Sequence, residues 1–386
     1  MANIHPLHAL RYTSAAGDIA DLATLPYDVI PPALEADYKS RSPYNFAHLI
    51  LPQGDYAGAA AKLSAWKQDG IVARDPEEAF FVYEQTFPAP GTGEILTRRG
   101  FVGLGDTEDY GTNVFRHEWT MSGPKEDRFR LLQATQVQFD SIFMLFPDPS
   151  GTVEAKLAAV CATEPDLAYS DHERTSHKLW RVADRAWIAS MQALMSDRPL
   201  LIADGHHRYE TALRMGQPRT LMTFVSLDSP GLRCFATHRI VHSVKDFQPE
   251  SFLAKLPNVG SGVDPLVSPA GAIRFGVVME NGEFHCDVPA AEGALNVAVL
   301  QDAILSPLLG ITPEVVTAGT NLRYKRTREE ALAEVKEGRA QITFLLEDLP
   351  IDGMARVSFA GQVLPQKSTY FYPKMGSGLV MLELES

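Results

Sequence analysis

The chain has 386 residues, 45% hydrophobic and 22% charged, with a formal net charge of -13. That is a globular composition long enough for roughly two or three cores, and its acidity argues against nucleic acid as the main partner, since a surface without excess Lys and Arg forfeits counterion release. Cys161, Cys234 and Cys286 stand far apart and no apolar run reaches the roughly 18 residues of a membrane span, so a reduced, cytoplasmic protein with no membrane partner is expected, its oligomeric state open.

Residues 1–54 are rich in turn formers. Within them 25–32 reads as rigid extended chain that holds Asp28 between prolines, and 42–49 is similar in character. A helix is predicted over 57–70, with Ala60, Leu63 and Trp66 three apart and Gly70 as its stop. Strands over 80–87 and 95–104 make a hairpin across a Pro/Gly-rich turn. His117-Glu118 then reads as a loop carrying an imidazole and a carboxylate, where acid/base or metal chemistry is commonly placed. Pro124 suits the first turn of a helix continuing through Phe129, Leu132, Gln136 and Phe139, on which Lys125 and Arg128 share a face, as part of a site or as a solvated charge network. Residues 141–146 are a buried strand, and 151–198 read as mainly helical, with the histidines of 171–184 on a solvated helix flank.

The densest ionisable chemistry follows. Residues 200–203 are an apolar run of strand length, Gly205 permits a sharp turn, and a helix starts beyond it, with Asp204, His206, His207 and Arg208 packed into the turn. A helix start stabilises an anion through its unpaired amides and dipole, and Arg208 adds a planar fork; the plainer alternative is an Asp N-cap beside structural histidines. Strands are predicted over 221–225 and 235–241, the latter carrying Thr237-His238-Arg239, and a hairpin over 273–279 and 284–288. Residues 296–309 form an apolar helix stopped by Gly310, Thr327-Arg328-Glu329-Glu330 is a capping box, and 341–346 is a buried strand. The ending returns to polar chemistry: Lys367, Ser368 and Lys374, and a Gly376-Ser377-Gly378 stretch whose amides could hold an anion, without Walker spacing. Three regions are expected, 1–150, 151–290 and 291–386, with the last folding back on the central turn.

In this order, Pro26-Tyr27-Asp28-Val29, Pro43-Tyr44-Asn45-Phe46, His117-Glu118-x-Thr120, Pro124-Lys125-x-Asp127-Arg128, the Asp-Gly-His-His-Arg turn, Thr237-His238-Arg239 and Pro365-Gln366-Lys367-Ser368-Thr369 resemble a prokaryotic family known as domain of unknown function 1015, over nearly the whole chain. The turn is also similar to the Gly-Cys-His-Arg turn of sulfiredoxins and the Gly-x-x-Arg turn of the ParB-like superfamily, which includes a free-serine kinase. That likeness implies a strand-turn-helix nucleotide site with Gly205, His207 and Arg208 on the phosphates. His206 stands where sulfiredoxins carry cysteine, so sulfinic-acid reduction is not implied.

The expected fold is α/β or α+β, mixed sheets with flanking helices. The expected function is a phosphotransferase acting on a small hydroxyl-bearing metabolite, with ATP or ADP and magnesium. Arg208, Arg239, Lys367 and Lys374 would meet the phosphates, Asp204 or Glu118 the metal, and Asp28, Glu118 or His206 would act as base. A phosphohydrolase using the same parts, a ParB-like nucleotide-binding regulator, and a metalloprotein ligated by His117, His206 and His238 are the alternatives.

Overall fold

The structure, a computed structural model, describes residues 3–90, 92–118 and 122–384, the side chains of 122–125 excepted. The chain divides into two compact units, the first comprising Met1–Arg116, Met121–Leu232 and Pro373–Ser386, the second His117–Thr120 and Arg233–Tyr372. The first unit's sheet runs across residue 150, and a strand of the second unit ends at Pro289.

Among the described residues the first unit's main sheet has nine strands. Eight lie in the order Val114–Arg116, Leu200–Asp204, Ile142–Phe146, Arg219–Ser226, Ile95–Asp106, Phe80–Pro88, Ser176–Val182 and Leu167–Ser170, and Ile4–His5 joins Ile95–Asp106. Pairing is mixed: Leu200–Asp204 is parallel to Val114–Arg116 and antiparallel to Ile142–Phe146. The expected hairpin is present, with Phe81 opposite Val102. Its aromatics build the core, Phe80 meeting Phe101 edge-on at 5.5 Å and Phe101 stacking on Phe224 at 4.9 Å. Burial of each such ring contributes about 1.5–3 kcal/mol. A second cluster forms where helix Tyr56–Gln68 lays Ala59, Leu63 and Trp66 against Phe46, Leu49, Leu131 and Phe139.

Three expectations for this unit are corrected. Helix Ser122–Thr135 stops short of Phe139, because Gln136 turns the chain at φ 53 and Val137–Gln138 pairs with Leu382–Glu383. Residues 42–49 are not extended throughout: Asn45 caps the Ala47 amide and opens helix Ala47–Ile50. Within 162–184, Leu167–Ser170 and Ser176–Val182 are strands rather than helix. Ser176–Val182 pairs along its whole length with Phe80–Pro88, and this long-range ladder overrides a locally ambiguous composition. His177 is therefore buried in a sheet, at 1% exposure, not on a solvated flank.

The second unit holds an antiparallel sheet, ordered Val259–Ser261, Gly282–Pro289, Ala272–Met279, Ile342–Leu345, His238–Val241, Leu322–Lys325. Thr327 accepts from the Glu330 amide at 3.2 Å and opens helix Arg328–Lys336, whose Ala331 packs on Ile240, Val278 and Leu345. The apolar run 296–309 is helical with a π turn at Gln301–Leu305 and ends at Gly310, φ 67. The single strand expected over 235–241 is two: Arg233–Phe235 pairs with Tyr370–Tyr372, while His238–Val241 enters the larger sheet. Between them the Ala236 amide is capped by Asp348 at 2.8 Å, which takes the chain out of one ladder before the next begins. The chain is thus mixed α/β, with the expected strand-turn-helix at 200–214.

Candidate functional site

Leu200 to Ala203 are buried, and the pairing with Ile142–Phe146 slips between Ile202 and Asp204, so Asp204 leaves the ladder at the strand's end. Gly205 follows at φ 95, ψ 24 as N-cap of helix His206–Arg214. A side chain there would be strained, and its Cβ would stand 3.0 Å from the Arg208 guanidinium, which folds back across the turn. Arg208 Nη2 donates to Asp204 Oδ2 at 3.0 Å, and Nη1 donates to the Ser141 carbonyl. Lys374 Nζ stands 3.4 Å from Asp204 Oδ1. Burial alone would raise the Asp204 carboxyl, but Lys374, Arg208 and His206 outweigh it and hold that group well below the usual carboxylate range. Burial likewise opposes the Arg208 charge, and Asp204, Asp140, Asp28 and Tyr27 overcome it. His206 is buried at the helix start, and His207 is half-buried beside it.

Around this centre the first unit brings four further groups. Asp28 is exposed on a single 3-10 turn, Tyr27–Val29, and a helix opens at Pro32, where extended chain was expected over 25–32. Arg128 donates to Asp127 and to the Ile50 carbonyl and lies 3.9 Å from the Tyr27 ring centroid; burial, then Asp28, pushes the Tyr27 phenol up to about 12. Arg128, Asp140 and Arg208 line one small cavity of about 50 Å³, with Leu131, Leu132 and Phe139. Asp140 escaped the sequence reading because the helix was run on through Phe139; the available signal was a carboxylate just before an apolar strand, mirroring Asp204 just after one.

Lys374 is positioned through its backbone. Arg98 Nη2 donates to the Pro373 carbonyl at 2.6 Å, Gln85 Nε2 to the Lys374 carbonyl at 2.8 Å, and the Gly376 amide to Tyr83 Oη at 3.0 Å. Since Tyr83 accepts from Gly376, its own proton faces His177 Nδ1 at 2.6 Å, and His177 Nε2–H then donates to Asp171 at 3.1 Å. Burial lowers the His177 pKa, in keeping with a neutral ring in this chain of bonds. The anion nest expected of Gly376-Ser377-Gly378 is not available, because the Ser377 amide donates to the Thr24 carbonyl at 2.8 Å and the Gly376 amide is spent on Tyr83.

In the second unit His117 is buried, with Nε2 2.7 Å from Thr369 Oγ1, and its carbonyl accepts the Leu364 amide. Glu118 Oε2 accepts the Lys367 amide at 3.1 Å; Lys367 holds φ 56 and exposes its side chain. Ser368 is buried and its hydroxyl donates to the Pro365 carbonyl, an internal bond that accounts for it. His238 accepts the Leu346 amide at 3.3 Å, and burial, Arg239 and Arg328 depress it to about 4, so its ring is neutral. Arg239 is buried; Nη1 donates to the Thr237 carbonyl and the guanidinium lies 5.6 Å from the Tyr324 ring centroid. Among the described residues it makes no carboxylate salt bridge, and burial lowers it to about 10 against the support of Tyr324 and Glu118. Of the candidate site residues, His207 and Arg208 belong to the first unit and His117 and Arg239 to the second. Thr120 and the Lys125 side chain lie outside the described residues. No three His, Cys, Asp or Glu side chains gather as metal ligands among the described residues; of the alternative triad, His206 belongs to the first unit and His117 and His238 to the second.

The chain belongs to the family described as protein of unknown function DUF1015, whose profile matches residues 4–303. No curated protein matches it. Among solved structures it is similar to a conserved hypothetical protein from Pyrococcus furiosus, at 13% identity and TM-score 0.40 over 71% of this chain and 92% of that one. It is similar also to free serine kinase in complex with AMP, at 14% and 0.41 over 72% and 94%, and to SbnI with C-terminal truncation from Staphylococcus aureus, at 11% and 0.40 over 72% and 86%. Among the described residues no helix is long and apolar enough to cross a membrane.

Proposed function

We propose that this protein is a phosphotransferase that moves a phosphoryl group from ATP or ADP to a small hydroxyl-bearing metabolite. The observation that carries the reading is the Asp204–Arg208–Lys374 cluster at the left-handed Gly205 turn. Phosphoryl transfer needs cations held in place before the charge develops, because preorganised donors cost no reorientation in the transition state. Asp204 holds a guanidinium and an ammonium side by side, at 3.0 and 3.4 Å, next to a helix start whose first amides lie outside the intrahelical ladder. Gly205, His207, Arg208 and Lys374 would therefore meet the donor's phosphates. In the second unit, Arg239 offers an anion a buried guanidinium with no carboxylate salt bridge among the described residues, and Lys367 an exposed ammonium.

Magnesium bound with the nucleotide would neutralise phosphate charge. Asp204 does not fit it, since one oxygen faces Arg208 and the other Lys374, and Glu118 Oε2 is spent on the Lys367 amide. Asp28, exposed and electrostatically coupled to Arg208, is the carboxylate that fits.

Thermal unfolding with ATP, ADP, AMP and inorganic phosphate, with and without magnesium, tests binding, and ³¹P NMR with a panel of small alcohols tests transfer. A nucleotide-dependent rise in Tm and a new phosphomonoester are expected. Phosphate release without an acceptor would make it a phosphohydrolase, and binding without turnover a regulator. No response to any nucleotide would sink the reading.

A further inference from the structure

Resting on the phosphotransferase reading, we infer that Asp140 is the base that takes the acceptor's hydroxyl proton, in the cavity it shares with Arg128 and Arg208. Asp140 lies just ahead of strand Ile142–Phe146, which pairs with Leu200–Asp204, and it is electrostatically coupled to Arg208. The Ser377 side chain favours its ionised form. The oxygen Oδ1 is closed off from solvent and has no hydrogen-bond partner among the described residues. A buried acceptor left unmatched costs stability, so its retention calls for a use.

The position supplies that use. Asp140 lines two cavities of the first unit, of about 50 and 20 Å³; the larger also presents Arg128, Arg208 and Thr211 against Leu131 and Phe139. At about 10–15 Å³ for each water-sized group, the larger holds about four heavy atoms. That is the hydroxyl-bearing end of a small metabolite, not a nucleoside. Burial raises the Asp140 carboxyl above its ordinary value, with Arg208, Ser377 and Arg128 opposing and Asp28 adding, which makes it a stronger proton acceptor than a solvated aspartate.

The hydroxyl oxygen forms a bond to the terminal phosphorus of the nucleotide while its proton passes to Asp140 Oδ1. The bond from that phosphorus to the bridging oxygen breaks, and its electron pair leaves with the shortened nucleotide. Asp140 later returns the proton to solvent.

The test compares wild type with Asp140→Asn, measuring nucleotide Kd by calorimetry, phosphomonoester formation by ³¹P NMR, and unliganded Tm. The variant is expected to keep the nucleotide Kd within about threefold and to lose at least about 100-fold in kcat while still folding, because Arg208 retains Asp204 as its direct counter-ion. A kcat within about threefold of wild type overturns the inference and leaves the phosphotransferase reading standing. Wild type that binds nucleotide yet phosphorylates no alcohol overturns the reading, and the inference with it. Should Asp140→Asn fail to fold, Asp140→Glu keeps a base one methylene out of place and is expected to lose about 10- to 100-fold in kcat; full activity there overturns the inference.

Discussion

The two His-Arg pairs rhyme in sequence and differ in physics. In the first unit Arg208 is set among Asp204, Asp140 and Asp28, which together overcome the cost of its burial. In the second unit Arg239 is buried with a carbonyl and an aromatic ring in contact, and its charge is disfavoured. A paired buried cation is part of the fold, and losing its partner strands it; an unpaired one is a cost the fold carries, or a seat for an anion. The same dipeptide thus marks a self-compensated cluster in one unit and, among the described residues, a buried guanidinium without a carboxylate salt bridge in the other.

The largest effect should come from breaking the compensated side. Asp204→Asn leaves Arg208 and Lys374 without their shared counter-ion and is expected to cost about 3 kcal/mol or more in urea unfolding, whereas Arg239→Met should stay within about 1 kcal/mol of wild type or gain stability. Similar losses in both would erase the contrast.

Acid should separate the units next. The unfolded chain protonates His238 near 6.5, the folded chain only near 4, so this residue's contribution is intact above about 6.5 and lost as pH falls, amounting to about 3 kcal/mol below 4. Asp204 has the opposite sign of charge and a lower window: its depressed pKa contributes stability above about 3.9, lost only as pH falls below that. Stability measured against pH should therefore decline from 6.5 downward, with His177 of the first unit, also depressed by burial, sharing in that limb, and His238→Gln should make it shallower while leaving any loss below 4. An unchanged limb would show that another group carries it.

Ligand binding gives a smaller change. Arg208→Lys keeps the charge but loses the fork, and should weaken ATP or ADP binding by about tenfold, or 1.4 kcal/mol, in a calorimetric titration. Equal affinity would assign the phosphates elsewhere. The smallest effect is expected at Lys367, whose backbone amide, not its exposed side chain, bonds Glu118. Lys367→Ala should leave the unliganded stability within about 0.5 kcal/mol of wild type. A large drop in stability would make the segment structural.

The sequence by itself determined what local chemistry can write. An apolar run ending at Asp204, a glycine that must turn at positive φ, a helix start beyond it, the hairpin of Phe80–Pro88 with Ile95–Asp106, and the Thr327 cap are each specified by a few neighbouring residues, and each was legible. Tertiary structure alone decided the partners. Lys374 reaches Asp204 across 170 positions, and it does so because Arg98 and Gln85, on the paired strands of the hairpin, clamp the backbone at Pro373 and Lys374. His177 is buried because its strand lies against Phe80–Pro88, and Arg239 lost its place on a continuous strand because Asp348, 112 positions from Ala236, caps the break. Such pairings leave no periodic trace along the chain: a side chain's neighbours in sequence set its backbone, while its charge state and availability depend on groups that only the folded sheet brings within reach.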